Sequence, residues 1–209
     1  MLVVWGVWMV RNNLIFSDKA CTSEITARTY CGLLLAWPLS RADLRRRLVQ
    51  EVEIEKSKPW DFFDGASQKN HCGGGGVLFF LDSHFFVMSM GLGEGSNNFS
   101  ELMSLKLLLF FALEKDVCSL LVVGDSLNAI NWTRGIQLCR NLNLENILDS
   151  IRETLASFDS FCCLHVYREL NQEADKASKK WLRLDWGSWH IKEFDNGLAH
   201  EFFHEPFAG

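Results

Sequence analysis

The chain has no excess of positive charge. Its 21 Lys and Arg are outnumbered by 26 Asp and Glu, giving a net charge of −5 over 209 residues. Non-specific affinity for a phosphate backbone needs Lys and Arg. Any contact with nucleic acid must therefore come from a local patch or through a bound metal ion. Paired cysteines are also lacking. The seven, Cys21, Cys31, Cys72, Cys118, Cys139, Cys162 and Cys163, are odd in number and form no CxxC element. That spacing argues against a disulfide framework and against a zinc site. Several sit among apolar neighbours, where a free cysteine acts as a small hydrophobe. Their use fits a reducing compartment, nuclear or cytosolic, although no targeting signal fixes which. Nor is there an apolar run of the about 20 residues that a bilayer span needs. MLVVWGVWMVRNN is too short and lacks the basic start and small-residue cleavage site of a secretory signal. LMSLKLLLFFAL is also too short, and Lys106 interrupts it. Both read as buried elements, so no membrane association is expected. The apolar, Trp-rich start suggests a chain that begins in the middle of a larger ancestral fold. The glycines at 73–76 lack the GK[ST] of a phosphate loop and lead into no helix. No small-molecule cofactor is implied.

What is present is an ordinary globular composition, 48% hydrophobic and 22% charged. The length allows one domain of about 100–150 residues with flanking segments. Residues 1–58 read as a helical segment and linker. Helices are predicted in WGVWMVRNNLIF, over Ser23–Leu35 and in RADLRRRLVQEVEIE. The Arg45–Arg47 cluster is either a solvated helix face or a handle for nucleic acid. The pattern changes after Lys56–Pro59. Short strands are predicted at 60–64, 77–81 and 84–90, with Gly65–Gly76 as a turn and Asp82-Ser83 as a hairpin. A strong helix follows over Phe99–Lys115, then a strand at 119–123 that is apolar throughout, as in strands buried on both faces. Helices over 126–132 and 142–157, a strand at 163–167 and an amphipathic helix over 173–183 complete the domain, 59–183. Residues 184–209 read as a C-terminal tail. Three strands joined by turns suggest an antiparallel meander, and strands separated by helices suggest parallel crossovers. The fold class is α/β, with a mixed five-stranded sheet flanked by helices.

Four carboxylates stand at positions where chemistry gathers. Asp64 in WDFFDGAS ends a strand; its alternative is a turn in which Asp bonds its own backbone. Asp61 is a rival, but period-2 alternation puts it on the opposite face. Glu101 in NNFSELMSL opens a helix, where a negative charge is favourable for its own sake. Asp125 in LLVVGDSLN follows an apolar strand, where ligands collect in α/β sheets and where helix capping is the competing role. Asp175 in ELNQEADKASKK shares a helix face with Asn171 and Lys179, so an exposed ion pair with Lys179 is the plainer reading. Converged, the four would suit a hard divalent cation, which prefers oxygen ligands.

In their order, FDGAS, GGGGVLFFLD, NNFSELMSLKLLL, VVGDS and HVYRELNQEAD resemble the ribonuclease H type 1 family, in its plant retroelement-derived form. WGVWMVRNNLIF and SWHIKEF…HEPF resemble the flanks of such proteins. The resemblance implies an RNase H-like fold and cleavage of the RNA strand of an RNA–DNA hybrid with two Mg2+ ions, for which Mn2+ can substitute. It matches Asp64, Glu101, Asp125 and Asp175 to the catalytic, metal-binding carboxylates. Asp64 would bridge both ions, Glu101 and Asp125 would hold mainly the first, and Asp175 the second. Two such ions about 4 Å apart activate the attacking water and stabilise the leaving oxygen. The hybrid would be selected by backbone shape and 2′-hydroxyls, with Gly65, Ala66, Ser67, Asn98 and Asn171 as contacts. The chain departs from the family in four ways. The link from HVYRE to NQEAD is short and places no mobile His before the last Asp, Ser100 replaces an Ala, GGGGVLFFLD is unusually apolar where a charged residue often precedes Asp82, and no basic hybrid-gripping loop is visible. A catalytically weak or inactive RNase H-like module, binding nucleic acid or protein, is the alternative, and a 3′–5′ exonuclease the runner-up enzyme.

Overall fold

A computed structural model describes residues 57–180 and 185–204, all within one compact unit, Glu53–Gly209. The helices expected within residues 1–56 lie outside the described residues. The elements run β1 (Trp60–Gln68), β2 (His71–Leu81), β3 (His84–Glu94), α1 (Asn97–Glu114), β4 (Ser119–Gly124), α2 (Leu127–Thr133), α3 (Leu142–Leu155), β5 (Ser160–His165), a 3-10 turn (Arg168–Leu170), α4 (Gln172–Lys180), β6 (Trp189–Asp195) and β7 (Leu198–His204). They form one mixed sheet in the order β5-β4-β1-β2-β3-β6-β7. The predicted meander is there as antiparallel β1–β2–β3, and the crossovers as parallel β1–β4 and β4–β5. Among the described residues no helix is long and apolar enough to cross a membrane. The described cysteines are free.

Two expectations are corrected. The sheet has seven strands, not five, because the segment read as a tail supplies β6 and β7, joined to the sheet through β3. Lys192, Glu193 and Glu201 obscure the alternation there. The turn chemistry was nevertheless legible: Asn196-Gly197 is a strong hairpin signal, and both residues have positive φ, 48° and 85°. The second correction is that residues 65–76 are not a turn. β1 runs on to Gln68, only Lys69-Asn70 turn, and Gly73–Gly76 lie in the middle of β2.

Those glycines are explained by what packs on either side of the sheet. A Cβ on Gly74 or Gly76 would meet α1, at Ser104 Oγ (2.7 Å) or Leu108 Cδ1 (2.3 Å). A Cβ on Gly75 would strike the backbone of α4, 2.3 Å from Ser178 N and 2.4 Å from Ala174 O. Gly65 on β1 is likewise closed off by the backbone at Ser100–Glu101. With side chains removed, a helix backbone lies almost on the sheet on each face. The α1 face carries the main core, where Phe63, Leu78, Phe86, Met88, Met90, Val122 and Ile191 are all buried. The α4 face continues into a row of packed rings, Trp60, Phe79, Phe85 and Phe194, with neighbouring centroids 5.0, 5.1 and 4.7 Å apart.

Candidate metal centre

The carboxylates are delivered by β1, α1 and the loop after β4. Alternation turns Asp64 toward the α4 face, while Asp61 is buried on the opposite one, where loss of water pushes its carboxyl well above the usual range. Glu101 lies in the second turn of α1 and is buried. Ser96 caps that helix, accepting from Phe99 N–H at 3.2 Å, so Glu101 is not needed as a cap. The same holds at Asp125. Ser126 is the cap of α2, accepting from Ala129 N–H at 3.5 Å, which leaves the Asp125 carboxylate to the cleft. One oxygen from each of Asp64, Glu101 and Asp125 lies within 4.8 Å of the others. They line a cleft of about 340 Å³ together with Gly65, Asn97, Asn98, Ser126 and Arg168.

Each carboxylate is held from behind. Gly65 N–H donates to Glu101 Oε2 at 3.2 Å. The buried amide of Asn171 donates to Phe63 O (2.7 Å) and to Asp125 Oδ1 (3.0 Å). Ser178 Oγ donates to Asp64 Oδ2 at 2.5 Å. Asp175 is placed differently. It stands on α4, its two oxygens engaged by Arg168 and, at 2.6 Å, by Lys179, so the ion pair expected of its helix position is formed. It is not one of the three converging oxygens, yet its charge is felt at Asp64.

Among the residues expected to touch nucleic acid, Asn98 lines the cleft. Gly65 N–H and the Asn171 amide are turned inward to the carboxylates. Ala66 is buried, and Ser67 Oγ donates to Gly95 O at 3.2 Å. The sequence reading passed over Arg168 and Ser178. For Ser178 a signal was available, since three residues on from Asp175 is the same helix face.

The electrostatics ask for a cation. Burial first, then the neighbouring charges of Asp125 and Asp175, push Asp64 up to about 7 against the opposing hydrogen bond from Ser178. Burial, Asp64 and Asp125 push Glu101 up to about 9. At Asp175 burial is outweighed by hydrogen bonds from Lys179 and Arg168, which hold it below the usual carboxylate range. Three oxygen donors of like charge, two of them nearly buried, are a strained set without a positive partner and a fitting one for a hard divalent ion.

A family profile described as reverse transcriptase-like matches residues 62–181. No curated protein sequence matches the chain. Similar folds are found in the N-terminal RNase H domain of a Mycobacterium tuberculosis protein, solved as a fusion with maltose-binding protein. That domain is 22% identical, with a TM-score of 0.56 over 60% of this chain and 93% of the other. RNase H1 of the halophilic archaeon Halobacterium salinarum is 23% identical, with a TM-score of 0.51 over 60% and 97%. LC11-RNase H1, isolated from compost and solved with an RNA/DNA hybrid, is 20% identical, with a TM-score of 0.53 over 60% and 96%. These likenesses concern the fold, while the profile covers more than half of the chain. The chain therefore belongs to the reverse transcriptase-like family and has the fold of ribonuclease H1 domains.

Proposed function

We propose that the protein is a metal-dependent nuclease that cleaves the RNA strand of RNA–DNA hybrids. The observation that carries this is the convergence of Asp64, Glu101 and Asp125 within 4.8 Å in a cleft. Asp64, Glu101, Asp125 and Asp175 would hold the divalent ions, Mg2+ by preference and Mn2+ as substitute. When bound, such ions supply charge to the phosphate and activate water for attack. The chain's own residues prepare the site. Gly65, Asn171 and Ser178 fix the directions of three carboxylates, and α1 and α4 close onto the sheet beside Glu101 and Asp64, which are buried. Asn97, Asn98 and Asn128 offer amides along the cleft to a sugar–phosphate backbone. Selection by backbone shape and 2′-hydroxyls suits these neutral donors. With an acidic chain and an acidic site, affinity for the hybrid would depend on the metal's charge. Descent from a plant retroelement belongs to the same reading and rests on the order of the motifs.

The test is cleavage of a labelled RNA–DNA hybrid with Mg2+ or Mn2+, wild type against Asp125→Asn. Asparagine keeps an oxygen for the Asn171 bond and removes the charge, so the fold is preserved. RNA-strand cleavage that requires metal and disappears in the variant is expected. A folded wild type that cuts with neither metal would end the enzymatic reading and leave a binding or interaction module.

A further inference from the structure

Serines inside helices ordinarily bond back to a carbonyl one turn earlier. Ser104 on α1 does so, donating to Ser100 O at 2.7 Å. Ser178 on α4 has such a carbonyl too, Asp175 O at 2.9 Å, but it also faces a carboxylate across the helix–sheet interface, Asp64 Oδ2 at 2.5 Å. A hydroxyl has one proton to give. Hydrogen bonds to charged acceptors are shorter and roughly twice as strong as neutral ones, so when Asp64 is ionised, as a metal ligand must be, the proton goes to Asp64. The residue is fully buried, so water does not compete for it.

This contact depends on how near α4 comes to the sheet. The position where a Gly75 Cβ would stand is 2.3 Å from Ser178 N. Gly75 pairs with Asp64 across β1 and β2, so the glycine opens the space beside the carboxylate through which the helix reaches it. The torsion that orients a carboxylate is intrinsically broad. A short hydrogen bond to one oxygen narrows it.

We propose that Ser178 is a positioning residue of the metal centre: its hydroxyl fixes Asp64 Oδ2 and so sets the direction in which Asp64 offers its remaining lone pairs to a divalent cation. This rests on the metal-site reading above. Partners in the layer behind metal ligands orient those ligands, and their loss typically lowers metal affinity about 10- to 100-fold.

The experiment is calorimetric titration of the full chain with Mn2+, with paramagnetic resonance of the bound ion alongside. It compares wild type, Ser178→Ala and the control Ser104→Ala, which removes a buried helix hydroxyl that touches no carboxylate. Melting curves in chelator confirm that each is folded. Ser178→Ala is expected to bind Mn2+ about 10- to 100-fold more weakly and to broaden the resonance, with Ser104→Ala like wild type. Should Ser178→Ala fail to fold, Ser178→Cys, similar in size with a weak donor, carries the test in the same direction. Wild-type affinity in the folded Ser178 variant overturns the inference, as does an equal loss in Ser104→Ala. No Mn2+ binding by wild type itself overturns the metal-site reading, and this inference with it, and that outcome is read from the wild-type titration alone.

Discussion

Gly75→Ala tests the packing that brings the site together. The new methyl would lie 2.3 Å from Ser178 N, 2.4 Å from Ala174 O and 2.9 Å from Ala177 C, all backbone atoms of α4. No rotamer relieves contacts with backbone, so the helix must shift away by about 1 Å. Overpacking of this kind typically costs about 1–3 kcal/mol. The opposing gain, from replacing a strand glycine, is only about 0.5–1 kcal/mol, so the clash wins. Gly76→Ala is the internal comparison. Its nearest contact, 2.3 Å, is with Leu108 Cδ1, the far end of a side chain that can turn. There the gain and the clash should nearly cancel. Thermal and urea unfolding of both variants, in chelator, is the assay. For a chain of this size about 1 kcal/mol corresponds to roughly 2–4 °C in Tm. Because α4 carries Asp175 and Ser178, Gly75→Ala should weaken Mn2+ binding as well. Equal stabilities for the two variants would refute the claim that α4 backbone is seated on Gly75.

The pH dependence of the metal-free protein follows from the raised carboxyls. Asp64 at about 7 and Glu101 at about 9 both exceed their ordinary values of 3.8 and 4.5, so folding favours their protonated forms. Their contribution is fully present below the ordinary values and is lost as pH rises through 7 and then 9. Tm in chelator should therefore fall from about pH 5 to 9, and Glu101→Gln should flatten the fall; a Tm that climbs across that range would contradict it. Saturating Mg2+ or Mn2+ should restore stability most at the alkaline end, because the ion binds the charged forms. Asp175, held low, acts in the opposite sense and only as pH drops below 3.8. Asn171→Ala removes the donor to Phe63 O and Asp125 Oδ1. Leaving the buried carbonyl unpaired should cost about 1–3 kcal/mol in denaturant unfolding, and a wild-type midpoint would show that Asn171 is not a support.

Local pattern and turn chemistry carried much of the fold. The unbroken apolar run Leu120–Val123 announced a buried strand, and it became β4, flanked by β1 and β5. Ser96, Ser126 and Asn141 are all helix caps in the structure, set by short-range hydrogen bonds that neighbouring residues suffice to specify. The hairpin turn at Asp82-Ser83 is of the same kind. The β6–β7 strands escaped because Lys192, Glu193, Asp195 and Glu201 interrupt their apolar pattern, although Asn196-Gly197 stood in plain view.

At the site, the chain by itself named the carboxylates and left each with two readings. Asp125 could cap or coordinate, and Glu101 could answer a helix end or a metal. Those readings differ only in what lies across the interface, and residues 36 to 114 positions away supply it. Gly65 meets Glu101, Asn171 meets Asp125, and Ser178 meets Asp64 only after strands pair and helices seat on glycines. Periodicity and caps are short-range and so are written locally. The convergence of like charges, and the proton affinities it raises, exists only when tertiary packing removes the water between them.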